Sequence, residues 1–152
     1  MNNIIITGGA GFIGSNFVNY WVKTKNSENI VILDSLTYAG NLANLDGLEG
    51  NYDFRFVKGD IRDADLVRNL LEEEKIDVLV NFAAESHVDR SIVNPLAFVQ
   101  TNVEGTQVLL NCARDAGTEK YVQISTDEVY GSLGPTGRFT EQSPIEPSSV
   151  YS

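Results

Sequence analysis

Between an apolar run, Ile4-Ile5-Ile6-Thr7, and a helical pattern that begins at Phe12 lies the stretch Gly8-Gly9-Ala10-Gly11-Phe12-Ile13-Gly14. Glycines at positions 8, 11 and 14 keep a spacing of three, and few arrangements of chain use that spacing between a strand and a helix. One glycine makes the tight turn, a second lets the backbone approach a ligand closely, and a third lets helix and strand pack together. A helix that starts there aims free N–H groups and a partial positive charge at the turn, which is a seat for phosphate. The loop therefore predicts a pyrophosphate site lined by Gly8, Gly11, Phe12, Ile13 and Gly14. Asp34, 20 residues past Gly14 (34 − 14), closes a second apolar run, Ile30-Val31-Ile32-Leu33. A carboxylate at that place accepts from the ribose hydroxyls of a dinucleotide and repels a 2′-phosphate, which favours NAD over NADP. The loop Ser35, Leu36, Thr37, Tyr38, Ala39, Gly40, Asn41 is expected to wrap the adenosine. The plainer alternative is a tight turn followed by a surface aspartate.

Strand-length apolar runs alternate with helical patterns along the chain. Strands are predicted over Asn3–Thr7, Asn29–Asp34, Asp53–Lys58, Asp77–Asn81 and Lys120–Ser125, the last read as a buried strand. Helices are predicted over Phe12–Lys25, Ala64–Glu74 and Pro95–Ala116. Asn94 is expected to cap the third helix with Pro95 in its first position, and Gly117 to end it. Such alternation predicts an α/β fold, a doubly wound parallel sheet of the NAD(P)-binding Rossmann type covered on both faces. Ser132–Pro147, rich in Gly, Pro, Thr and Ser, reads as loop. One domain spans residues 1–152. No cap or turn closes Ser148–Ser152, so the chain is expected to stop before further strands and a substrate domain.

The chain carries 11 basic and 21 acidic residues, a net charge of −10. That disfavours nucleic acid and anionic membranes as partners. Apolar residues make up 42% of the chain, enough for a core. Cys112 is the only cysteine, which excludes an internal disulfide and fits a reducing compartment. There is no leader-like segment and no run of about 18 apolar residues. A cytoplasmic, soluble protein is expected. No Cys/His cluster supports a metal site.

Thr126-Asp127-Glu128 directly follows the last predicted strand. Ligands bind at the carboxyl ends of parallel strands, so two adjacent acids there are a candidate acid and base. Alone, the pair reads equally well as a solvated turn with Asp127 capping it. Asp60, in Gly59-Asp60-Ile61 after the third strand, is placed to accept from an adenine amine, or to favour a helix N-terminus. Ala83, Ala84 and Glu85 follow the fourth strand, and their backbone is expected to line the cofactor. His87, the only histidine, reads as a hydrogen-bonded loop residue. Trp21 and Cys112 are assigned to the core.

The glycine loop, Asn81-Phe82-Ala83-Ala84-Glu85-Ser86-His87-Val88-Asp89, Ser125-Thr126-Asp127-Glu128-Val129-Tyr130-Gly131, and Tyr151 preceded by Ser149-Val150 resemble the extended short-chain dehydrogenase/reductases. Within them the chain is similar to the dTDP-glucose 4,6-dehydratases, from its first residue to its last. Related epimerases carry a Ser-Ser/Thr-Ala type of stretch where this chain has Ser125–Asp127. The resemblance makes Tyr151 the tyrosine of a Tyr-x-x-x-Lys motif whose lysine falls past Ser152. It places Thr101 near the cofactor, where a solvated helix face is the alternative, and Ser86 against cofactor or sugar.

The reaction the resemblance implies is dTDP-glucose to dTDP-4-keto-6-deoxyglucose plus water, with bound NAD regenerated, as in dTDP-rhamnose biosynthesis. Tyr151 would take the C4 hydroxyl proton. A free tyrosine has a pKa of about 10, so a nearby cation must lower it. Thr126 would hold the C4 oxygen, Glu128 would take the C5 proton, and Asp127 would protonate the departing C6 hydroxyl. Family members are commonly homodimers. The alternatives are a UDP-sugar 4-epimerase, a UDP-glucose 4,6-dehydratase, and an NAD-binding module without catalysis. These residues by themselves are expected to be inactive and to expose an unpaired sheet edge.

Overall fold

Side chains alternate between the two faces of a strand, so a strand of unbroken isoleucine needs cover on both. In the computed structural model, which describes residues 3–24, 29–48 and 54–152, Ile4, Ile5 and Ile6 of β1 (Ile4–Thr7) are completely buried. Each contributes about 1.5–3 kcal/mol of burial. On one face Ile5 joins Val31, Leu33 and Leu79 beneath Val67, Leu70 and Leu71 of α2 (Ala64–Glu73) and Leu109, Cys112 and Ala113 of α5 (Thr106–Ala116). On the other, Ile4 and Ile6 join Ile30, Ile32, Val78 and Val80 beneath Val18 and Val22 of α1 (Phe12–Thr24).

Four further parallel strands complete the sheet: β2 (Ile30–Asp34), β3 (Arg55–Lys58), β4 (Val78–Asn81) and β5 (Lys120–Gln123), in the order β3-β2-β1-β4-β5. The register sets Thr7 beside Leu33 and Asn81, Asp34 beside Lys58, and Asn81 beside Gln123. The polar residues that end these strands therefore share one edge. They are also wired together. The buried Thr7 hydroxyl donates to Asn81 Oδ1, and Asn81 Nδ2 donates to Gln123 Oε1 (3.0 Å). The Tyr121 hydroxyl donates to the same Gln123 oxygen (2.7 Å).

The predicted doubly wound parallel sheet is present, and three details differ. The helix expected over Pro95–Ala116 is α4 (Pro95–Phe98), a π-helical stretch Val99–Gly105, and α5. Asn94 makes no side-chain capping bond, because it also ends a helix that the sequence did not suggest, α3 (Val88–Val93). Ile92 and Val93 of α3 lie outward, so α3 lacks the apolar stripe that marks a helix. Finally, β5 is not buried: Lys120 and Gln123 are exposed and Tyr121 and Val122 half-buried, because among the described residues β5 pairs only with β4. Gly117 ends α5 in the left-handed conformation as expected (φ 73°), and Ser132–Pro147 contains no helix or strand. Lys25 and Asp53, at predicted element ends, lie outside the described residues. No described helix is long and apolar enough to cross a membrane.

Candidate functional site

A cavity of ≈ 870 Å³ runs along the carboxyl edge of the sheet. It takes in Gly8, Gly11, Phe12, Ile13 and Gly14 from the glycine loop, Asp34, Ser35 and Thr37 after β2, Asp60 and Ile61 after β3, Ala83, Ala84, Glu85 and Ser86 after β4, Thr101 in the π-helical stretch, and Thr126 and Tyr151. Gly8 adopts φ +68°, and a Cβ on it would lie 2.6 Å from the Ala83 nitrogen. A Cβ on Gly14 would lie 2.2 Å from the Gly8 oxygen. Backbone thus fills the space that side chains would need, and the N-terminus of α1 opens directly onto the cavity. This cradle, with a carboxylate at one end, fits a dinucleotide.

Asp34 is buried, and each of its oxygens receives one backbone N–H: Ala10 to Oδ2 (2.9 Å) and Leu36 to Oδ1 (2.8 Å). A carboxylate oxygen offers two lone pairs, so each keeps capacity for a ribose hydroxyl. The Ala10 carbonyl in turn accepts from Asn41 N–H (3.0 Å) and Asn44 Nδ2 (2.8 Å), which ties the 35–44 loop to the glycine loop. Leu36 (φ 52°) does not line the cavity. It spends its N–H on Asp34 and packs against the core.

Asp60 carries an ion pair with Arg62, whose Nη2 lies 2.6 Å from Oδ2 and whose N–H donates to Oδ1 (2.9 Å). The Arg62 side-chain hydrogen bonds hold the Asp60 carboxyl below the usual carboxylate range, against the opposing effect of burial. The cap of α2 is Asp63, which accepts from Leu66 N–H (3.0 Å), so Asp60 is not needed for that role. On the β4 side, the Glu85 backbone is held at both its polar atoms. Its N–H donates to Asn102 Oδ1 and its carbonyl accepts from Asn102 Nδ2, each at 2.8 Å. A side-chain amide here replaces a neighbouring strand. Asn102 lies in the π-helical stretch, whose wide turn brings Gln100, Thr101 and Asn102 to the cavity together.

At the far end Thr126, not Asp127, caps the 3-10 turn Asp127–Tyr130, accepting from Glu128 N–H (3.2 Å). Its hydroxyl proton remains to be donated. Thr126, Val129 and Tyr151 line the cavity, and the Tyr151 ring meets buried Phe98 edge-on, centroids 6.4 Å apart. Asp127 and Glu128 sit on the turn beside the cavity without lining it; Asp127 is exposed and Glu128 half-buried. His87 is exposed just before α3.

Sequence reasoning missed Arg62, Gln100, Asn102 and Gln123 on the cavity wall. Arg62 had a signal in the Asp60-Ile61-Arg62 spacing. Gln100 and Asn102 had none, because the widened turn shifts them off the face that a 3.6-residue period predicts.

Sheet order, glycine cradle and cavity define a Rossmann-type domain of the short-chain dehydrogenase/reductase kind. More narrowly, the chain belongs to the GDP-mannose 4,6-dehydratase family, whose sequence profile matches residues 5–152. It is 54% identical over 157 aligned positions to a dTDP-glucose 4,6-dehydratase of Xanthomonas campestris pv. campestris, covering 97% of this chain and 44% of that protein. It is 53% identical to the low-salt glycan biosynthesis protein Agl12 of Haloferax volcanii, covering 99% and 47%. A dTDP-glucose 4,6-dehydratase of Streptomyces venezuelae, solved with NAD bound, superposes with a TM-score of 0.92 at 52% identity, covering 98% of this chain and 47% of that one. The UDP-Glc/GlcNAc 4-epimerase of Campylobacter jejuni gives 0.91 at 34% identity, covering 99% and 45%. The chain spans less than half the length of these relatives.

Replacing Arg62 with Gln is expected to raise the Asp60 pKa toward the ordinary carboxylate value, read by NMR titration of the Asp60 carboxyl. A depressed folded pKa means that the pair's stabilisation is present above the unfolded carboxyl pKa. It is lost as pH falls through the folded value. An Asp60 titration that does not move in Arg62→Gln would contradict the pairing.

Proposed function

We propose that this chain is the dinucleotide-binding part of an NAD-dependent nucleotide-sugar 4,6-dehydratase that converts dTDP-glucose to dTDP-4-keto-6-deoxyglucose and water. What supports this reading above all is the continuity of one cavity from the glycine loop and Asp34 to Thr126 and Tyr151. The NAD-bound relative and the dehydratases sharing half of these residues support the cofactor and the reaction class. Bound NAD would take a hydride from the sugar and return it at C6.

The residues of this chain handle the protons. Tyr151 takes the proton of the C4 hydroxyl, and its edge contact with Phe98 holds the ring at the cavity. Thr126 donates its hydroxyl proton to the C4 oxygen while its own oxygen caps the turn. With C4 oxidised, the C5 proton becomes acidic and Glu128 removes it as base. Asp127 gives a proton to the C6 hydroxyl, which leaves as water. The proton on C5 is restored as the hydride returns. Glu85 and Ala83 offer backbone to the cofactor, and Ser86 contacts the sugar. A cytoplasmic setting fits a chain with one cysteine.

A UDP-sugar 4-epimerase is the second reading. It is favoured by the placement of Thr126 and Tyr151 on the cavity wall and of Asp127 and Glu128 beside it. An epimerase needs the first two and no leaving-group acid. In the intact protein Asp127→Asn is expected to lower kcat for dehydration by about 10²–10⁴-fold with little change in KM. Unchanged dehydration by Asp127→Asn would remove Asp127 from the leaving-group role, and a wild-type protein that interconverts C4 epimers without releasing water would leave the epimerase reading standing instead.

We also propose that the intact protein is a homodimer. Leu96, Val99, Val103 and Leu110 recur at helical spacing along the outer side of α4, the π-helical stretch and α5, each more than two-fifths exposed. Sedimentation of the intact protein should give twice the monomer mass, and Val103→Arg should lower it to the monomer. A wild-type monomer at micromolar concentration would refute this.

A further inference from the structure

The two strands that flank β1 in the sheet are β2 and β4, and the glycine loop emerges between them. A connection between the loops that follow β2 and β4 must therefore cross beside the glycine loop. Such a connection exists. The Tyr38 hydroxyl, in the loop after β2, donates to Glu85 Oε2, in the loop after β4, at 3.0 Å. Tyr38, Glu85 and Ser86 line the same cavity as Gly11, Phe12 and Ile13. The Tyr38–Ala39 segment lies close to the glycine loop, since a Cβ on Gly11 would be 3.9 Å from the Ala39 oxygen.

The bridge is backed on both sides. The Arg90 guanidinium of α3 sits 4.0 Å from the centroid of the Tyr38 ring, a cation–π contact that holds the ring in place. The Asn102 amide grips both backbone polar atoms of Glu85. The Tyr38 phenol is held protonated, first by burial and then by the Glu85 carboxylate that accepts its proton in a hydrogen bond. Yet the contact itself is exposed, with Tyr38 half open to solvent (51%). The Glu85 end is gripped through its backbone, whereas the Tyr38 end is a side chain on a loop, steadied by one cation–π contact. That is the build of a closure rather than of a core contact.

We propose that the Tyr38–Glu85 bridge is a clasp across the dinucleotide groove, opened for the cofactor to enter or leave and closed during turnover. This rests on the NAD-binding reading above. A cofactor that is regenerated in each cycle gains nothing from leaving, so slow release suits the reaction. Tyr38 is then a positioning residue. It acts on the residence of the dinucleotide and not on the reacting atoms.

The test is the release of NADH from the intact protein, followed by loss of bound-NADH fluorescence when excess NAD is added. Tyr38→Phe keeps the ring over Arg90 and removes only the hydrogen bond, and is expected to speed release about fivefold. Arg90→Gln, which loosens the ring, should speed it about two- to threefold. In a Glu85→Gln background, where the acceptor charge is gone, Tyr38→Phe should have a smaller effect. The thermal midpoint of the dinucleotide-free protein should change little in Tyr38→Phe, which a merely structural role would not predict. Release from Tyr38→Phe at the wild-type rate would overturn the clasp while leaving NAD binding intact. A wild-type protein that holds no NADH would overturn both.

Discussion

The structure depends on one close approach between backbones. Gly8 sits where β1 ends, with positive φ and its carbonyl against Gly14 on one side and the Phe82–Ala83 peptide on the other. No side chain fits at either glycine without moving the main chain. Because the loop is that tight, α1 starts at once and its N-terminus faces the cavity. Because Gly8 touches Ala83, the loops after β1 and β4 form one wall. The sheet order makes this possible by putting β4 directly beside β1.

Around that point the polar groups form a continuous support. Asp34 takes N–H groups from the glycine loop and from its own loop, and Ala10 passes the connection to Asn41 and Asn44. Asn81 links Thr7 to Gln123 and also accepts from Ala83 N–H (3.1 Å). Asn102 fixes Glu85 from the opposite side. Thr7, Asp34 and Asn81, the buried members of this network, are each hydrogen-bonded, and the bonds between loops leave those loops little freedom to drift. The proposed reaction uses that rigidity at Thr126 and Tyr151, whereas the proposed clasp uses a connection that is open to water.

The parts legible in the sequence were those governed by local rules. The isoleucines of β1 and the run before Asp34 announced buried strands, and the glycine spacing announced the cradle. The one-faced pattern of Leu66, Val67, Leu70 and Leu71 announced α2. What the sequence hid follows from longer-range packing. The π-helical stretch breaks a helix whose composition looks regular, and it places Asn102 where only the β4 loop explains it. α3 has outward apolar residues and no core stripe. The short 3-10 turn beyond β5 leaves Asp127 and Glu128 beside the cavity, although their position at a strand's end suggested its wall. β5 looked buried because its residues are those of an inner strand, while here it lies at the sheet edge.

The seat at Asp34 is the point from which the rest of the functional reading extends, and calorimetric titration of the intact protein with NAD and with NADP bears on it most directly. A buried carboxylate already engaged by two backbone N–H groups has room for hydroxyls and none for a second negative charge, so NADP should bind at least about tenfold more weakly than NAD. Equal affinities, or a preference for NADP, would contradict the placement of the adenosine ribose against Asp34.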